Sequence, residues 1–135
     1  MKILAPISVG ELFDKITILR IKQARIDDPA KLANVRAELA ELTAIVEAGG
    51  LGSAELDRDV AALQAVNAEL WDVEDAKRDH ERRQVFDDAF VRLARDVYLK
   101  NDRRAEIKRR INLTTGSLVV EEKAYRDYGG GAEPG

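Results

Sequence analysis

The sequence predicts an all-α protein, an antiparallel bundle of about four helices followed by a short C-terminal segment. Apolar residues recur at alternating steps of three and four, which is the period of one face of a helix. Residues that cap helices stand before these stretches, and most glycines and prolines stand between them. A chain of 135 residues fits one domain. We therefore expect a single helical domain over residues 1–128 and a flexible, glycine-rich tail over residues 129–135.

Composition excludes several kinds of site. The chain has no cysteine and one histidine, His80, which excludes disulfides, thiolate metal sites and a zinc site built from imidazoles. We expect no metal and no cofactor. A net charge of −3 creates no field that would attract nucleic acid or a membrane. No stretch resembles a signal peptide or approaches the length of a membrane span. The sequence thus predicts a cytoplasmic protein with neither of those partners.

The first helix has a clear start and two apolar faces. Ser8 and Glu11 form a capping box, in which each side chain can bond the backbone N–H of the other residue. Ile18 and Ile21 lie roughly opposite the main apolar stripe. A helix with two apolar faces belongs either at the centre of a bundle or at a contact between copies, so a homo-oligomer through helix 1 is one prediction. The main stripe consists of Leu12, Ile16, Leu19, Gln23 and Ile26.

The second and third helices follow with their own start and stop signals. Asp28 is placed to cap the second helix, with Pro29 at its first position, where a missing N–H costs nothing. Gly49, Gly50 and Gly52 end that helix, and Ser53 can cap the third. The apolar seams are Leu32, Val35, Leu39, Leu42 and Val46 on the second helix and Leu56, Val60, Leu63 and Leu70 on the third.

A change of helical phase predicts a turn between the third and fourth helices. No glycine or proline separates them, but at about 100° per residue the apolar stripe of residues 86–97 is rotated by about 120° from that of residues 56–70. A continuous helix would bury neither stripe well, so we place the turn near residues 80–85. The fourth helix should end at about Asn112, before a short packed segment at residues 118–128.

Polar residues continue both stripes beyond their apolar parts. In an antiparallel pair, Asn67 and Asn101 are nearly equidistant from the turn and should fall in one layer. Burying an ionisable group is costly unless it is paired, so such positions indicate either a structural network or a binding site. An excess of Arg and Lys over Glu favours an anionic ligand. The candidate seam consists of Asn67, Trp71, Glu74 and Arg78 on the third helix and of Asn101, Arg104 and Lys108 on the fourth.

Three functions fit these observations, and the sequence leaves open whether the protein is an enzyme. The first is a non-catalytic, partner-binding or oligomeric accessory protein. The second is a helical enzyme or ligand-binding protein that holds a small phosphate- or carboxylate-bearing anion in the polar seam. The third and most remote is a magnesium-dependent nucleotide pyrophosphatase, since Glu38 with Glu41 and Glu69 with Asp72 match the paired acids of that helical class. With 25 acidic residues, such pairs are expected by chance.

Four blocks of sequence, which together span nearly the whole chain, resemble a bacterial family of small helical proteins classed as a domain of unknown function. The resemblance implies a helical fold and no particular reaction. Members of that family sometimes accompany surface-polysaccharide genes, which implies at most an accessory role there. The blocks contain the polar seam positions Asn67, Glu74, Asn101, Arg104 and Lys108. They are residues 4–12 with 14–19, residues 66–75, residues 101–112 and residues 120–125.

Overall fold

The computed structural model describes residues 1–128, and the glycine-rich tail predicted at residues 129–135 lies outside that part. The described chain contains four helices and no strand, which confirms the prediction of an all-α bundle. The helices are α1 (Val9–Arg25), α2 (Pro29–Ala48), α3 (Ala54–Arg83) and α4 (Asp88–Thr115).

Each helix begins at a side chain that accepts a hydrogen bond from the first turn. Three of these caps were predicted, and each receives a backbone N–H at 3.0 Å: Ser8 from Glu11, Asp28 from Ala30 and Ser53 from Leu56. The fourth, Asp87, accepts from the N–H of Phe90 at 3.1 Å. Capping satisfies backbone donors that would otherwise have no partner in the helix, and it fixes where each helix starts.

The predicted turn between α3 and α4 exists, a few residues later than expected. Helix α3 continues to Arg83 and ends at Gln84, which adopts the left-handed conformation at φ 56°. The ring Nδ1 of His80 lies 2.9 Å from the carbonyl oxygen of Val85, so His80 closes the turn while remaining helical. Helix α4 likewise runs past the predicted end at Asn112 and stops at Gly116.

The long helices α3 and α4 pack against each other as a hairpin, and α1 lies against both of them. Helix α2 packs on α1, and within residues 1–128 none of its Cα atoms lies within 8 Å of one in α3 or α4. Helix α1 is therefore central, and both of its apolar faces are buried inside the chain. An oligomer through α1 stays a prediction. The main core cluster consists of Leu12, Phe13, Ile16, Leu56, Leu63, Val66, Ile107 and Ile111.

Helix α1 covers only part of the hairpin. It has 17 residues against the 30 of α3 and the 28 of α4. At its start the N–H of Gly10 meets Asn112, and at its end Arg25 pairs with Asp72. Beyond Asp72 the hairpin extends as a two-helix arm. Among the described residues no helix combines the length and the apolar character needed to cross a membrane.

Candidate functional site

The centre of the site is a carboxylate on α1 that the sequence did not single out. The side chain of Asp14 is 1% exposed and lies where α1, α3 and α4 meet. It accepts hydrogen bonds from Asn67 Nδ2 at 2.9 Å and from Arg104 Nε at 2.8 Å. A second guanidinium nitrogen of Arg104 donates to the other carboxylate oxygen, which makes the pair bidentate. A bidentate fork fixes direction as well as distance.

Two further side chains complete what we call the Asp14 network: Asp14, Thr17, Asn67, Arg104 and Lys108. The Thr17 hydroxyl donates to the backbone carbonyl of Asp14 at 2.9 Å and accepts from Asn67 Nδ2 at 3.0 Å. Lys108 Nζ lies 3.9 Å from the Asp14 carboxylate. Within the described chain, every buried side-chain nitrogen or oxygen has a hydrogen-bond partner. The network is closed on its inner side.

Opposite charges keep the central pair ionised. Burial alone would raise the pKa of Asp14, but hydrogen bonds from Arg104 and Asn67, with the charges of Arg104 and Lys108, hold that pKa below its usual value. The hydrogen bond to Asp14 raises the pKa of Arg104 despite its own burial. At neutral pH the network therefore contains a carboxylate and a guanidinium in fixed charge states.

The outer end of the network reaches solvent. The side chains of Arg104 and Lys108 are 29% and 18% exposed. Lys108 binds the carboxylate of Glu11 at 2.6 Å, so Glu11 takes a partner on α4 instead of the reciprocal bond expected in a capping box. Arg104 also reaches the amide oxygen of Asn101 at 3.4 Å. Both cations thus already have a carboxylate partner from α1.

The structure divides the predicted seam into two groups. Asn67, Arg104 and Lys108 come together around Asp14. Asn101 is exposed and touches Arg104, whereas the Asn67 amide donates to Asp14 on α1, so the two amides have different partners. That both asparagines lie in one layer of the hairpin stays a prediction. The predicted layout placed cations of α4 against acids of α3, but α1, which packs across both helices, supplies the acids of Arg104 and Lys108.

Trp71, Glu74 and Arg78 form a separate surface group on α3. Glu74 lies 3.4 Å from Lys77 and 3.4 Å from Arg78, and the Arg78 side chain is 73% exposed. Pairs at this spacing are ordinary contacts on a helix surface. Trp71 is half-buried and stacks under the guanidinium of Arg25, 5.8 Å from the ring centre.

A second polar cluster, which the sequence analysis did not predict, lies at the start of α1. We call it the terminal clasp: Ser8, Val9, Asn112, Ser117 and Glu121. The Ser8 hydroxyl and Asn112 Nδ2 both donate to the Glu121 carboxylate, the latter at 3.2 Å. The N–H of Val9 donates to the Ser117 hydroxyl at 3.1 Å. The clasp holds the non-helical C-terminal segment against the first turn of α1.

Gly10 sets the spacing between the two clusters. Its N–H donates to Asn112 Oδ1 at 2.7 Å. A Cβ at this position would lie 2.6 Å from the carbonyl oxygen of Lys108, a contact that real side chains do not make. Only glycine therefore lets α1 approach α4 this closely, and that approach brings Glu11 and Asp14 within reach of Arg104 and Lys108.

The acidic pairs of the remote pyrophosphatase alternative do not face one another. Glu38 and Glu41 lie on α2, whereas Glu69 and Asp72 lie on α3, and no Cα atoms of these two helices lie within 8 Å of each other. Three of the four acids already pair with a cation: Glu41 with Lys2, Glu69 with Lys100 and Asp72 with Arg25. Among residues 1–128 no group of three or more side chains has the arrangement of a metal site.

The sequence profile of the family described as "Family of unknown function (DUF6165)" matches residues 1–134, so the chain belongs to that family. This confirms the resemblance to a domain of unknown function, while bacterial origin and the surface-polysaccharide context stay predictions. Neither a curated protein nor a solved structure matches the chain.

Proposed function

We propose that this member of the DUF6165 family is a non-catalytic helical-bundle protein, an accessory that acts by binding a partner or another copy of itself. The observation that carries the proposal is the closed Asp14 network. Its buried carboxylate, amide and hydroxyl all have partners inside the chain, and its two cations each have an acid. Within residues 1–128, no buried side-chain nitrogen or oxygen lacks a hydrogen-bond partner that a substrate could supply.

The charge states of the network support a positioning role. A general acid or base works best when its pKa lies near the working pH. The pKa of Asp14 is lowered and that of Arg104 is raised, which moves both groups away from neutrality. The bidentate contact between them instead fixes the register of α1 against α4, because a shift by one residue would break both hydrogen bonds. In this proposal, the protein acts by binding a partner through the outer surfaces of the bundle.

A small phosphate- or carboxylate-bearing anion in the seam is a second candidate. It is favoured by the partial exposure of Arg104 and Lys108, with Asn67 beneath them and Asn101 at their edge. An incoming anion would have to compete with Asp14 and Glu11 for these cations. Trp71, Glu74 and Arg78 would not contact such an anion directly, since their own contacts lie elsewhere on the surface of α3. The competing carboxylates make this candidate the weaker one.

A thermal-shift experiment separates the two. The full chain is heated with inorganic phosphate, a sugar nucleotide or succinate, each with and without Mg²⁺ and with NaCl at matched ionic strength. We expect no saturable rise in Tm beyond the salt control. A ligand at about one hundred times its Kd would add about 2.7 kcal/mol, a shift of several degrees. A saturable rise that Lys108→Met abolishes and the exposed control Arg109→Met keeps would overturn the proposal.

A further inference from the structure

The two ends of the described chain expose an unusual amount of apolar side chain. Seven aliphatic residues in or beside the non-helical terminal segments are exposed, and Ile3, Leu4 and Leu118 are at least 78% exposed. We call them the terminal patch. Its members are Ile3, Leu4, Ile7, Leu113, Leu118, Val119 and Val120.

The terminal clasp brings these residues to one end of the bundle. Ile7 precedes Ser8 in the chain, Leu113 follows Asn112, and Leu118 follows Ser117. Val120 precedes Glu121 in the same way. Each of these four apolar residues is the direct neighbour of a side chain that the hydrogen bonds of the clasp tie together. These four residues therefore lie around a fixed point, and Ile3, Leu4 and Val119 belong to the two terminal segments that meet there.

The clasp holds the C-terminal segment by polar contacts, while Leu118 is fully exposed and Val119 and Val120 are 38% and 39% exposed. Besides Glu121, the segment is held by Lys123 on Asp102 and by Glu122 on Arg109 at 3.5 Å. Ordering a segment costs about 1–2 kcal/mol per residue, which burial of its apolar side chains would normally offset. At Leu118, as at Ile3 and Leu4 in the N-terminal segment, that burial is missing within one chain, and exposed apolar surface of this kind marks an interaction site.

We propose that the terminal patch is the face through which two copies of this chain form a dimer. The exposed fractions of its seven residues correspond to roughly 800 Å² of accessible surface in all, which is about the area that each partner buries in a specific interface. An apolar patch is complementary to itself, as a two-fold contact requires. The inference rests on the proposed function and names one of its binding surfaces.

The charges beside the patch fit a second copy better than a charged polymer or a membrane. Lys2 pairs with Glu41 at 2.9 Å. The cations on either side of the C-terminal segment, Arg109 and Lys123, each bind an acid. Charges neutralised in pairs provide no field of one sign for phosphates, and they leave the apolar surface as the main source of binding free energy.

Sedimentation velocity of the full chain between about 1 and 100 µM tests the proposal, a range that covers typical dimer affinities. The wild type should approach twice the monomer mass within that range. Leu4→Asp with Leu118→Asp should remain monomeric throughout. Leu99→Asp, which places the same charge at an exposed leucine of the arm, should behave as the wild type. Circular dichroism checks that all three proteins keep their helices.

Two results would overturn the inference: a wild type that is monomeric at every concentration, or a dimer that the patch variant keeps. A second measurement locates the contact. Because the chain has no cysteine, Leu118→Cys carries a single thiol, and its reaction with a maleimide should slow at least fivefold as the dimer forms. Leu99→Cys should react at one rate at all concentrations. Equal concentration dependence at both sites would place the interface elsewhere. The thermal-shift outcome with anions is independent of these results, so the dimer and the non-catalytic role can fail separately.

Discussion

The Asp14 network and the terminal clasp are built from similar groups but lie in different environments. Each centres on a carboxylate that accepts a hydrogen bond from an asparagine amide, Asn67 for Asp14 and Asn112 for Glu121. The charge of Lys108 acts on both. Asp14 is buried between three helices, however, whereas Glu121 lies on an exposed segment.

Burial decides what each cluster contributes. Removing one partner of a buried ion pair leaves an uncompensated charge in a medium that solvates it poorly, so the loss is large. An exposed pair exchanges its partner for water at little cost. The Asp14 network should therefore determine the stability and register of the bundle. The clasp should determine mainly where the C-terminal segment lies.

The largest expected effect comes from Asp14→Ala. The substitution leaves Arg104 and Asn67 without their acceptor beside a new cavity, and it should lower the free energy of unfolding by about 4 kcal/mol. Asp72→Ala is the matched control. It removes an exposed ion pair to Arg25 on the same bundle and should cost about 0.5 kcal/mol. Urea unfolding followed by circular dichroism measures both, and equal losses would remove the distinction between the two environments.

Acid should act on the same residue with a smaller effect. Because the pKa of Asp14 is lower in the folded than in the unfolded chain, ionised Asp14 stabilises the fold above about pH 4. That stabilisation is lost as the pH falls through the folded-state value. Urea unfolding between about pH 6 and pH 2.5 should show a steeper fall in stability for the wild type than for Asp14→Asn. Parallel curves would mean that Asp14 is not held ionised by its partners.

Gly10→Ala tests the spacing on which both clusters depend. The added methyl would lie 2.6 Å from the backbone carbonyl of Lys108 and 2.9 Å from Asn112 Oδ1, so α1 must move away from α4. We expect a loss of about 2 kcal/mol. Gly52→Ala has no atom within 4 Å of the new methyl and should be close to neutral. A thermal melt of the two variants side by side is sufficient.

The smallest global effect is expected from Glu121→Gln. Without the carboxylate, Ser8 and Asn112 keep a weaker acceptor and Lys108 loses a nearby negative charge. Global stability should change by less than about 0.5 kcal/mol, while amide hydrogen exchange in residues 118–128 should accelerate. Glu122→Gln, which loses one exposed contact to Arg109, serves as the control and should leave that exchange nearly unchanged. Equal acceleration in both variants would remove the special role of Glu121.

Local signals in the sequence were sufficient to predict where the helices begin. Ser8, Asp28 and Ser53 mark helix starts because a cap depends on residues within one turn, and all three act as predicted. The turn after α3 followed from helical phase. Its position was early because the bond from His80 to Val85 extends α3, and a contact of this kind leaves no periodic trace.

The sites were harder to predict because their partners are distant in the chain. The cations Arg104 and Lys108 could be placed on an inward face, but their acid lies 90 residues from Arg104 on another helix. A signal for Asp14 existed: it precedes Ile18 and Ile21 by four and seven residues, on the second apolar face of α1. The clasp had no such signal, since Ser117 and Glu121 belong to a segment without periodic structure.

The central claim is that the Asp14 network positions α1 against α3 and α4 and is not a ligand-binding site. A double-mutant cycle on Asp14→Leu and Arg104→Met tests it most directly, with unfolding in urea as the measurement. We predict a coupling of at least about 2 kcal/mol, with the double variant folded and no less stable than Asp14→Leu alone. Additive losses, within about 0.5 kcal/mol, would show that the two side chains do not hold each other and would contradict this claim.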